Sequence, residues 1–193
     1  MMFSTKPKTS FRISMSKRTT RDLVVIALFA SLGIATKSLV QPMVATVTGP
    51  LYIPTGAVAG GFYMMWPVMG YGFTRKFGTA TLISLVQAFF SLLIPIGNFG
   101  LFTFVIYLAP GFVIDGFFLL SRSKAFSSAS CVGAAAIANV AGTISYCALF
   151  LALPEAVLLF FGLIAALSGC IGGFIASIAL SRAGTMVLGQ NAG

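Results

Sequence analysis

Residues 22–41 read DLVVIALFASLGIATKSLVQ, a run in which Asp22 and Lys37 are the only ionisable side chains. Twenty residues at about 1.5 Å each make a helix of about 30 Å, the thickness of a bilayer's hydrocarbon core. The run follows a polar, Ser/Thr-rich stretch that holds Lys6, Lys8, Arg12, Lys17, Arg18 and Arg21, half of the chain's twelve basic residues. No small-residue cleavage site separates it from the next apolar run. It therefore reads as a transmembrane helix preceded by an attached tail over 1–21, and not as a cleaved signal peptide.

Five further apolar runs follow, at about 52–74, 77–95, 101–121, 128–152 and 155–181. Each is long enough by residue count to cross the membrane. The breakers between them are Pro42 to Pro54, Arg75-Lys76, Pro95 to Gly100, Ser121 to Lys124 and Pro154-Glu155. The whole chain of 193 residues is 58% hydrophobic and 8% charged, with mean hydropathy +1.02. A soluble domain carries about 25% charged residues, so too few polar side chains are present to cover a water-facing surface. The expected fold is an all-α membrane protein: a bundle of six transmembrane helices over 22–182, with a short tail at 183–193.

The remaining basic residues set an orientation. Arg75 and Lys76 lie between runs two and three, Arg122 and Lys124 between runs four and five, and Arg182 after run six. The 1–2, 3–4 and 5–6 connections have none. This alternation places both termini in the cytoplasm of a multi-pass plasma-membrane protein. It also accounts for the net charge of +9 without nucleic acid as a partner.

The chemistry is sparse. The chain has no histidine, and its acids are Asp22, Asp115 and Glu155. No phosphate-binding GxxxxGK[ST] loop, HExxH helix, nucleophile elbow or pair of carboxylates occurs. The three cysteines, Cys131, Cys147 and Cys170, stand in apolar runs and read as small packing residues. Neither catalysis, nor a cofactor, nor a metal site is expected.

Without a hydrophobic drive between helices in lipid, close approach depends on small residues four apart. Ala165, Gly169, Gly173 and Ser177 form such a row in the sixth run, and intramolecular packing is the expected use. Ala27, Ser31 and Ala35 form another in the first run, which is as well suited to docking on a separate membrane subunit. Glycines 56, 60, 61, 70 and 72, with Pro67, predict an irregular second helix.

A few polar groups are placed inside the spans. Gln87 and Asn139 sit mid-span, with Ser84, Ser91, Tyr107, Thr143, Ser145 and Tyr146 nearby in register; buried amides in lipid need partners. Tyr63, Tyr107 and Tyr146 offer apolar walls with polar tips, Lys37 stands near the outer end of the first helix, and Asn98 stands at the outer mouth in IPIGNFG. Together they predict a pocket for an uncharged or weakly charged ring compound. Lys37 fits either snorkelling to the interface or contact with a ligand. Asp115 is expected to pair with Arg122 or Arg75, Glu155 to favour a helix N-terminus, and the stretch 42–51, PMVATVTGPL, to form a flexible cover over the pocket.

Six short spans, a basic N-terminus, a small-residue row in the first helix and no ATPase motif together resemble the S components of energy-coupling factor (ECF) vitamin importers. A closer likeness runs from about residue 56 to 120. RKFGTATLISLVQAFFSLLIPIGNFG (75–100) resembles the RKPG-led third helix and following loop of the branch linked to thiamine and its hydroxymethylpyrimidine precursor. GFVIDGFF (111–118) resembles that branch's GxxxE/DxxF segment, with Asp115 at the acidic position. Phe77 stands where that branch tends to have proline, and Ser84 and Ser91 where it tends to have glutamates.

The resemblance implies a substrate-binding subunit that captures a vitamin or related molecule. Lys37, Tyr63, Gln87, Ser91, Asn98, Tyr107, Asn139 and Tyr146 are the candidate contacts, and Ala27, Ser31 and Ala35 the docking row. It also implies a transmembrane T component and two ATPase subunits as partners. The alternative is a stand-alone secondary transporter or channel.

Overall fold

The computed structural model describes residues 18–93, 99–121, 127–151 and 153–190. They form six helices: α1 (Thr20–Thr48), α2 (Thr55–Thr74), α3 (Thr79–Leu93), α4 (Phe102–Ser121), α5 (Ser128–Phe150) and α6 (Glu155–Gln190), with a 3-10 turn at Gly49–Leu51. No strand occurs among the described residues. The expected all-α membrane architecture is what the structure has. The outward faces are strongly apolar, with Leu39 71%, Met43 72% and Leu167 69% exposed, as a surface that faces acyl chains requires.

Four stretches are both long and apolar enough to cross a membrane, those containing α1, α4, α5 and α6. α3 is shorter: the structure describes 15 residues of it, about 22 Å of helix, and residues 94–98 that follow lie outside the described ones. α2 differs for another reason: it contacts all five other helices and is the central element of the bundle. Its glycines serve close approach. A Cβ on Gly61 would lie 1.9 Å from the carbonyl oxygen of Ser168, and one on Gly172 would lie 1.9 Å from that of Gly61. The helix expected to be irregular runs continuously from Thr55 to Thr74 through the buried Pro67, because the helices around it hold it in place.

The row on α6 is buried, as expected for internal packing: added Cβ atoms at Gly169 and Gly173 would meet α5 backbone within 2.6 Å. The row on α1 is not buried; Ala27, Ser31 and Ala35 are all exposed. Cys131 and Cys147 are buried and Cys170 half-buried, and no disulfide joins them.

One end of the bundle is tied by polar contacts. Asp22 accepts from the Thr19 backbone N–H at 2.8 Å and pairs with Lys76 at 2.7 Å. Arg18 Nη2 donates to the Phe77 carbonyl at 3.1 Å. Asp115 is not paired with Arg75 as expected, and Arg122 lies outside the described residues. Its carboxylate instead caps the start of α3, accepting from the Thr81 N–H at 2.8 Å, the Thr81 hydroxyl at 2.6 Å and the Ala80 N–H at 3.3 Å. Free N–H groups at a helix N-terminus attract an anion, and α4 supplies one from its buried face.

The flexible cover predicted over 42–51 is also corrected: α1 continues through Pro42 to Thr48. Proline removes one backbone donor, and the last turn is steadied by hydroxyls. Thr48 Oγ1 donates to the Val44 carbonyl at 3.0 Å and lies 3.2 Å from Thr55 Oγ1 at the start of α2.

Candidate functional site

The end of the bundle opposite the Asp22–Lys76 pair encloses a cavity of about 250 Å³. Five helices build it: the C-terminal half of α1, the N-terminal half of α2, α3 around Gln87, the start of α4, and α5 from Asn139 to Tyr146. Six of the eight predicted contacts, Lys37, Tyr63, Gln87, Tyr107, Asn139 and Tyr146, line it together. Ser91 stands behind the wall and accepts a hydrogen bond from the Tyr107 hydroxyl at 3.0 Å. Asn98 lies outside the described residues.

Lys37 points inward. Its ammonium donates to the Tyr107 hydroxyl and sits 4.1 Å from the centroid of that ring, a cation–π arrangement. It is the one cationic side chain in the wall, and no carboxylate lines the cavity among the described residues. Lysine carries three donors, so a hydrogen bond to one tyrosine leaves capacity for a ligand.

The polar atoms around the cavity are under-partnered. Five side-chain polar atoms are buried without a hydrogen-bond partner among the described residues, and four of them belong to cavity residues: Gln41 Oε1, Tyr63 Oη, Gln87 Nε2 and Thr143 Oγ1. A buried polar group without a partner costs about 1–3 kcal/mol. Four around one space mark a site that expects a molecule with matching donors and acceptors.

Asn139 has a second duty. Its Nδ2 donates to the Ala165 carbonyl at 2.8 Å and the Ala57 carbonyl at 3.4 Å, joining α5 to α6 and α2. Gly60 makes room for it, since a Cβ there would lie 1.8 Å from Asn139 Oδ1. Gly33 does the same for Gln87, whose Nε2 would be 2.0 Å from a Cβ at that position. At the mouth, Phe99 packs against Tyr146 at 5.3 Å and Phe150 at 5.2 Å between ring centroids. The single tryptophan, Trp66, donates to Thr36 Oγ1 at 3.0 Å beside the cavity floor.

Sequence reasoning missed Gln41, Thr55, Gly33 and Phe99, and left Thr143 in the polar set without assigning it to the site. Gln41 was recoverable. Once α1 is carried through Pro42, Gly33, Lys37 and Gln41 fall four residues apart on one helical face. Thr55 is the first residue of α2 and Phe99 stands in the connection before α4, positions where periodicity carries little signal.

An apolar-surfaced helical bundle that encloses a cavity with a few polar groups in its wall is a build suited to a membrane transport subunit. The sequence matches a family model over residues 21–141, and the chain belongs to that family, described as "ABC-type cobalt transport system, permease component". It is a multi-pass plasma-membrane transport subunit, not an enzyme. A solved structure described as "Crystal structure of an S-component of ECF transporter" is similar with a TM-score of 0.64 and 22% identity. The match covers 91% of this chain and 93% of that one, and at this identity it speaks for the fold. A comparison with curated proteins finds no match.

Proposed function

We propose that the chain is the substrate-capture (S) component of an ECF-type importer. It takes a small ring compound into the cavity from outside and delivers it through a T component driven by two ATPase subunits. The observation that carries this reading is the set of four unpartnered polar atoms, with Lys37, around one aromatic-walled space. The positive-inside rule then puts both termini and the Arg75-Lys76 turn in the cytoplasm and turns the cavity toward the exterior. The exposed row Ala27, Ser31 and Ala35 is the docking face for the T component.

The family description names cobalt, but among the described residues the wall offers no imidazole, thiolate or carboxylate, the donors a divalent transition metal selects. A cation would also meet Lys37. An organic ligand fits the donor set better. Ligand pockets commonly measure about 300–1,000 Å³, and this cavity of about 250 Å³ suits a compact molecule. Thiamine and its hydroxymethylpyrimidine precursor are the first candidates, on the likeness over 75–118.

The test is mass spectrometry of small molecules released when the detergent-purified protein is denatured. A stoichiometric heterocycle is the expected result. An empty release, with no thermal stabilisation across a vitamin panel, would remove the capture reading. Uptake by the protein alone in liposomes would replace it with a self-sufficient transporter.

A further inference from the structure

The two first candidates share a pyrimidine and differ in charge, and the cavity wall bears on that difference. Among the described residues its only formal charge is the ammonium of Lys37. This group is aimed by Tyr107, which gives it both a hydroxyl acceptor and a ring face. Tyr107 is itself held, because its hydroxyl donates to the buried Ser91. The ammonium is therefore fixed on the wall by a neutral chain, with no anion against it. Among the described residues Asp22 is engaged by Lys76 and Asp115 by the start of α3, both away from the cavity. Around the remaining wall, Gln41 presents an acceptor, Gln87 a donor, and Tyr63 and Thr143 hydroxyls that can do either.

Resting on the capture reading above, we infer that the cavity selects by charge. It takes a compact, flat ring compound without a permanent positive charge that presents an electron-rich acceptor to Lys37, and Lys37 is the residue that turns cations away. In a site removed from water a like charge a few ångströms from an ammonium is strongly repelled, and among the described residues no carboxylate in the wall offsets it. The amide and hydroxyl groups pair with a ring edge that alternates donors and acceptors, and the tyrosine rings stack on its faces.

The experiment is equilibrium dialysis of the full-length protein in detergent with two probes. Hydroxymethylpyrimidine is neutral; thiamine carries a related pyrimidine joined to a cationic thiazolium. The wild type is expected to bind the neutral probe at least about tenfold more tightly, a factor equivalent to ~1.4 kcal/mol. Lys37→Met is expected to bring the ratio close to one, and Lys37→Glu to invert it. Tyr107→Phe keeps the charge and the ring, so it should weaken both probes while preserving their order. Melting curves confirm that each variant is folded, and Lys37→Gln replaces any that is not.

Two results overturn the charge filter and leave the capture reading standing. One is equal binding of both probes by the wild type; the other is a preference that does not change in the Lys37 variants. A molecule with a fixed positive charge released from the purified protein overturns it as well. Failure to bind either probe, together with an empty release on denaturation, overturns both readings.

Discussion

Gly33 and Gly60 each yield space to an amide side chain, and the two should behave in opposite ways when a methyl group is added. At Gly60 the new Cβ would lie 1.8 Å from Asn139 Oδ1, 2.5 Å from Cγ and 2.8 Å from Nδ2, so the whole amide has to leave. It would forfeit the bonds to Ala165 and Ala57. Hydrogen bonds between membrane helices average about 0.6 kcal/mol each, and overpacking adds about 1–3 kcal/mol. Alanine is favoured over glycine in a helix by about 0.5–1 kcal/mol. The net loss for Gly60→Ala is about 1–4 kcal/mol.

At Gly33 the clash is with the far end of Gln87, at 2.0 Å from Nε2 and 3.0 Å from Cδ. That nitrogen has no partner to lose. The longer side chain swings aside, and stability should stay within about 1 kcal/mol of wild type once the helix preference for alanine is counted. Ligand affinity should fall by one neutral hydrogen bond, about 0.5–1.5 kcal/mol, which is about two- to tenfold.

Thermal unfolding followed by Trp66, the only tryptophan, reads the first quantity, and dialysis with hydroxymethylpyrimidine the second. The double variant Gly60→Ala/Asn139→Ala should lose less than the sum of its singles, because the clash partner is gone. Strict additivity there, or equal destabilisation by Gly33→Ala and Gly60→Ala, would refute the reasoning.

Two more outcomes can be checked. Ala27→Trp or Ser31→Trp should abolish ATP-driven uptake in the assembled transporter while leaving probe binding by the isolated chain unchanged; normal uptake would remove α1 from the docking role. Asp115→Ala should lower the melting temperature markedly, since hydrogen bonds to a charged group are worth about 1.5–3 kcal/mol each and three end on this carboxylate. Asp115→Asn should recover part of that loss, and an unchanged melting point for Asp115→Ala would refute the capping role.

The helices were legible because lipid demands long apolar runs. Basic residues mark two of the breaks between them and prolines the other three, and the sequence-based starts of α2, α4, α5 and α6 fall within about three residues of those observed. What periodicity does not encode is which helix sits in the middle. α2 was read from its glycines as irregular, yet glycine there is a consequence of central position: a helix with neighbours on every side needs backbone contact more than side-chain volume. The contact of Asp115 with the start of α3 was missed for a related reason. Its nearest charge in sequence is Arg122, but the buried face of α4 meets the free N–H groups that open α3, a juxtaposition of segments more than 30 residues apart.

The first helix shows how the readable and the unreadable parts join. Gly33, Lys37 and Gln41 follow one another at four-residue spacing, and Ala27, Ser31 and Ala35 do the same two residues out of phase. Two residues are about 200° of helical turn, so the two rows stand on opposite faces. One faces the cavity and the other is exposed. An exposed small-residue face is costly to explain by lipid contact alone, since leucine or phenylalanine would serve lipid as well, and α1 uses both elsewhere. A protein partner that needs close backbone approach explains it directly. On the proposed function, the same helix carries the ammonium that meets the ligand and the surface that meets the partner. A bulky residue on one row can block assembly without touching the other, which is why binding and uptake should separate in the Ala27 and Ser31 variants.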